Sequence, residues 1–62
     1  MTKFKVFRKL SGGGAVEFII EANMMVVGMS GDLEFWRVTE HGKAMIHAVA
    51  PGYWITCDEV DQ

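Results

Sequence analysis

Apolar and polar side chains alternate along much of this chain with a period of two, the repeat of a β-strand that buries one side. The pattern centres on residues 15–39. Val16, Phe18, Ile20 and Ala22 share one face there, and Glu17 and Glu21 the other, with Ile19 as an apolar intruder between the acids. In residues 24–29, Met24 and Val26 oppose Met25, Val27 and Met29. In residues 33–38, Leu33, Phe35 and Arg37 oppose Glu34, Trp36 and Val38. These segments are apolar on both faces, which predicts a meander with something to cover on each side of its sheet. A loop at Gly28-Met29-Ser30-Gly31-Asp32 divides them, and Asn23 marks a kink or bulge, since asparagine tolerates left-handed geometry.

On the N-terminal side, Phe4, Val6 and Leu10 alternate with Lys3, Lys5 and Lys9, predicting a first strand with one basic face. Ser11-Gly12-Gly13-Gly14 then predicts a hairpin connection to Ala15. A phosphate-cradling loop would need a Lys and a Ser or Thr opening a helix, whereas Ala15-Val16-Glu17 opens a strand. On the C-terminal side, His41-Gly42 predicts a tight two-residue turn. Residues 43–50 carry two signals. Ala44, Met45, Ala48 and Ala50 are good helix formers ahead of a stop at Pro51-Gly52, but Ala44, Ile46, Ala48 and Ala50 also share one face of a strand. Eight residues is short for a helix and Gly42 weakens its start, so the strand is favoured. Pro51-Gly52 turns the chain into a last strand, Tyr53-Trp54-Ile55-Thr56-Cys57, and the acidic end at residues 58–62 is expected to fray.

Composition changes this picture in one respect. The 62 residues make a single domain, and half of them are hydrophobic. A chain this short buries only about 60% of its unfolded surface, so a single-layer sheet cannot hide that content on one side. The expectation is a homo-oligomer, a dimer being the commonest form, with closure into a small barrel as the competing solution. No disulfide within the chain can help, because Cys57 is the only cysteine. With no run of 18 apolar residues and no basic-then-apolar leader, the expected setting is the cytoplasm, with no membrane partner. The net charge of -2 gives no bulk attraction for nucleic acid, although four of the six basic residues, Lys3, Lys5, Arg8 and Lys9, lie in the first strand. Lysines there also serve to keep an edge strand from pairing with strangers.

The candidate chemistry is sparse. His41, His47, Cys57, Asp58 and Glu59 are the only possible metal set, and they lack the paired spacing of closed zinc sites, so neither a metal nor another cofactor is expected. A hairpin turning at Pro51-Gly52 would set His47 opposite Thr56, one position short of Cys57 and on the wrong face for it. Glu17 and Glu21 stand about 13 Å apart along a strand, too far for joint acid–base work. The chain therefore reads as non-enzymatic. Its aromatic residues Phe7, Trp36, Tyr53 and Trp54 include groups on faces that a lone copy leaves wet, and Trp, Tyr and Arg are the types enriched where proteins dock. Trp36 with Arg37 is the favoured centre of a protein-binding surface.

Glu21-Ala22, Leu33-Glu34-Phe35 and Ala48-Val49-Ala50-Pro51-Gly52-Tyr53-Trp54 together resemble a type of short bacteriophage and mobile-element protein with E-A, L-x-F and A-P-G-x-W spaced across strands. The likeness covers about two thirds of the chain, and no functional residue carries over. It implies a small accessory product that binds and inhibits a host factor.

The sequence thus predicts an all-β fold, a curved antiparallel meander of five or six strands, either an SH3-like or open barrel or a sheet completed by dimerisation. It predicts a self-associating module that binds and modulates a protein partner through Trp36, Arg37, Val38, Met25, Val27, Tyr53 and Trp54. Three methionines, Met24, Met25 and Met29, suit an adaptable contact surface. The alternative is a nucleic-acid or nucleotide binder using Lys3, Lys5, Arg8 and Lys9 beside exposed aromatics.

Overall fold

Each alternating segment becomes a strand. A computed structural model, which describes residues 1–60, contains β1 (Thr2–Lys9), β2 (Ala15–Ala22), β3 (Met24–Val27), β4 (Leu33–Thr39), β5 (Gly42–Val49) and β6 (Trp54–Val60). All pairings are antiparallel. They build two three-stranded sheets, ordered β2-β1-β6 and β3-β4-β5, which do not close into a barrel.

Local chemistry explains the connections. The glycine run closes the β1–β2 hairpin: Leu10 N donates to Gly14 O (3.1 Å) and Gly13 N to Leu10 O (3.1 Å), with Gly13 and Gly14 at φ of 96° and 82°. Gly28 N donates to Asp32 O (2.8 Å) and Gly31 N to Gly28 O (3.0 Å), tightening the loop between β3 and β4. Asn23 carries the chain from the first sheet into the second. Its φ is not positive; its amide donates to Trp36 O (2.9 Å) and its Oδ1 accepts from Val38 N (2.7 Å), so the side chain substitutes for a ladder partner where the strand bends.

Four expectations need correction. The β4–β5 turn is Glu40-His41 rather than His41-Gly42, because Gly42 pairs with Thr39. His41 N donates to the Thr39 hydroxyl (3.2 Å), which itself donates to Gly42 O (3.3 Å). The Pro51-Gly52 turn, closed by Tyr53 N donating to Ala50 O (3.1 Å), makes no hairpin. It passes the chain between sheets, so His47 pairs with Phe35 and Cys57 with Val6. The expected shared face of Ala44, Ile46 and Ala48 is broken by a bulge in β5. Phe35 pairs with His47 and Trp36 with Met45, leaving Ile46 as the extra residue and reversing the parity on either side. Finally, Asp58 and Glu59, expected in a frayed end, belong to β6 and stand opposite Lys5 and Phe4. Asp61 and Gln62 lie outside the described residues.

The inner faces meet in a small core. Phe4 and Val6 from β1, Ala22 from β2, Leu33 and Phe35 from β4 and Val49 from β5 are buried. Phe18, Ile20, Met25, Trp54 and Cys57 pack around them. The Phe4 and Phe35 rings meet at 5.6 Å, and Trp54 Nε1 donates to Gly31 O (3.0 Å), tying β6 to the loop before β4. Six buried residues make a thin core. The radius of gyration, 12.1 Å, exceeds the value of about 10.6 Å expected for a closely packed chain of this length.

Candidate protein-binding surface

Alternation in β4 sends Leu33 and Phe35 into the core and Glu34, Trp36 and Val38 to the opposite side of the second sheet. The neighbouring strands complete that outer face. Met24 pairs with Trp36 and Val26 with Glu34 on one side; Ala48 pairs with Glu34, Met45 with Trp36 and Lys43 with Val38 on the other. Trp36 sits at the centre, half-buried by its neighbours.

Its indole is held from two directions. Nε1 donates to the Glu34 carboxylate at 3.0 Å, and the Lys43 ammonium stands 5.4 Å from the ring centroid. The hydrogen bond satisfies the one polar atom of the indole, and the cation sits over its electron-rich face. The ring is therefore fixed in place, with little rotamer freedom left to lose on docking. Val38 and Met45 remain 48% and 47% exposed beside it.

Of the seven residues predicted to bind a partner, Trp36 and Val38 lie together on this face. Arg37 is exposed but points to the opposite side of β4, paired with Ala44. Met25 and Val27 alternate toward the inner side; Met25 packs against the core and Val27 is exposed at the end of β3. Tyr53 is exposed at the turn into β6, and Trp54 packs against the core. Val26, Glu34, Lys43 and Met45 join Trp36 without having been singled out, and Met24 joins it as one of the three methionines expected to form an adaptable contact surface. For Met24, Val26 and Glu34 the signal was present in the even-numbered alternation. For Met45 and Lys43 the β5 bulge concealed it.

The basic strand presents differently. Lys3, Lys5, Phe7 and Lys9 alternate onto the outer face of the first sheet, where Glu21 stands opposite Lys3, Glu17 opposite Phe7 and Asp58 opposite Lys5. Arg8 falls on the other face. The lysines are thus interleaved with acids rather than gathered into a cationic patch.

Asp32 and Cys57 titrate away from their ordinary values. Hydrogen bonding to the Glu34 carboxyl, and then to the Ser30 hydroxyl at 3.0 Å, holds Asp32 below its ordinary value of 3.8. Burial, and then the Asp58 charge, pushes the Cys57 thiol up, so it stays protonated at neutral pH. His47 stacks edge-on against Phe18 (5.5 Å) and near Phe35 (6.3 Å). Among the described residues no group of three or more His, Cys, Asp or Glu side chains converges, and no helix is long and apolar enough to cross a membrane.

Comparison with known proteins gave no match to a family model, to a curated protein or to a solved structure.

Proposed function

We propose that this protein is a small non-enzymatic binding module that associates with itself and docks on a protein partner through the outer face of its second sheet. One observation carries the reading: an immobilised tryptophan, flanked by half-exposed Val38 and Met45, stands on the side of the sheet facing away from the core. Aromatic anchors with satisfied polar atoms and an apolar surround are what dominate protein–protein affinity. The likeness to small phage and mobile-element products fits such a module, its partner then being a host factor it inhibits. It works in the cytoplasm, where its single thiol stays reduced. The nucleic-acid alternative has no comparable support, because acids stand among the lysines of β1.

Light scattering across a dilution series from high micromolar concentration tests the reading. The mass is expected to exceed 6.9 kDa at the top of the series and to fall on dilution, and Trp36→Ala is expected to weaken association. A single-copy mass throughout overturns self-association. Binding of a labelled oligonucleotide that weakens steeply between low and moderate salt would favour the nucleic-acid alternative instead.

A further inference from the structure

The strand edges of this molecule are protected, and one of its faces is not. β2 and β6 border the first sheet, and β3 and β5 the second. β2 carries Glu17 and Glu21. β6 carries Asp58 and Glu59 and a bulge that leaves Ile55 unpaired. β3 is only four residues long, and β5 is bulged at Ile46. Charge, shortness and bulges are the devices that stop edges from pairing with other chains. The outer face of the first sheet sets Lys3, Lys5, Lys9, Glu17, Glu21 and Asp58 around the exposed Phe7 and Ile19, so its apolar groups are interrupted by charge. The Trp36 face is apolar at its centre, and the charges on its paired strands are Glu34 and Lys43.

Resting on the reading of this protein as a self-associating module, we propose that a second copy of the chain occupies this face, second sheet against second sheet, as an isologous pair whose two-fold axis runs across the strands at Trp36. The charges choose the axis. Glu34 lies to one side of Trp36 along β4, and Lys43, opposite Val38, lies to the other. An axis parallel to the strands sets Glu34 against Glu34 and both Lys43 side chains at the same end, like charge beside like. An axis across the strands reverses strand direction and brings each Glu34 to the partner's Lys43. Two ion pairs then flank a centre built from Trp36, Met24, Met45 and Val38 of both copies. Such pairs fix orientation more than they add affinity.

The size of the face sets the expected strength. At the usual rise and strand spacing it is about 25 Å long and 14 Å wide, which places the pair among small interfaces of below about 1,200 Å² in total. Dissociation on dilution is therefore expected, and it is the separated copy whose Trp36 face is open to the protein partner.

Sedimentation equilibrium on the full chain and on two charge reversals, Glu34→Lys and Lys43→Glu, is the test, with circular dichroism to verify folding. Each variant alone places two like-charge contacts in its own pair, and its dimerisation is expected to weaken by roughly tenfold or more. An equimolar mixture of the two variants restores both opposite-charge contacts in a mixed pair, so dimerisation is expected to return. If the variants dimerise as well as the parent chain, or the mixture stays monomeric, this pairing is wrong while self-association through another surface stands. A parent chain that is monomeric at every concentration removes both. Should a reversal unfold the chain, Glu34→Gln and Lys43→Gln take its place; each is expected to weaken the pair, and unchanged dimerisation by both overturns it.

Discussion

At the scale of single residues, stability rests on very few side chains. A domain of this length is stable by only about 3–9 kcal/mol, and truncating a buried phenylalanine costs about 3–5 kcal/mol. Phe35 is fully buried between Phe4 and His47. Phe35→Ala is therefore expected to leave the chain largely unfolded at 25 °C by circular dichroism, whereas Val38→Ala, on the opposite side of the same strand, is expected to leave the fold intact. A folded Phe35→Ala variant would show that the core is not where the fold's stability lies. Asp32 supplies a pH effect of definite sign. Its folded value lies below the ordinary 3.8 because the Glu34 carboxyl, and then the Ser30 hydroxyl, hydrogen-bond to it. The Ser30 part of this contribution, whose hydroxyl donor does not titrate, is present above the unfolded value and is lost as pH falls through the folded one. Between pH 5 and pH 2.5 the urea midpoint is expected to fall less in Asp32→Asn than in the parent chain, and equal slopes would remove Asp32 from the account.

At the scale of elements, the alternation that marks residues as strand was legible throughout, including residues 43–50, where good helix formers compete with it. The pairing of those strands was less so. Parity arguments hold only while a ladder runs without interruption, and one extra residue at Ile46 moves Met45 to the Trp36 face and keeps His47 with Phe35. The passage between sheets at Asn23 is a second interruption, held by a side chain in place of a strand. Asn23→Ala removes the acceptor for Val38 N, with an expected loss of about 1 kcal/mol. Hydrogen exchange checks this directly, since the Val38 amide should exchange faster in the variant while the Phe4 amide in β1 changes less. Equal acceleration at both sites would mean that the whole domain, and not this bend, is loosened.

At the scale of the molecule, the decisive fact is an imbalance, among the described residues, between six buried side chains and a dozen large apolar ones left at the surface. Anything that binds only the folded state adds to its stability by mass action. The melting temperature of the parent chain is thus expected to rise with protein concentration, and that of Trp36→Ala to rise less; a midpoint independent of concentration for the parent would show that association contributes nothing. What the sequence determined by itself is the local part: strands from a period of two, turns from glycine and proline, and a surplus of apolar surface from composition, each fixed by backbone geometry or by counting. Only the tertiary structure decided which of the two apolar sides of β3 and β4 became core, that β6 joins β1 rather than β5, and that Glu34 and Lys43 converge on Trp36. Those outcomes depend on register and on contacts between residues distant in the chain, and a one-residue bulge is enough to redirect them.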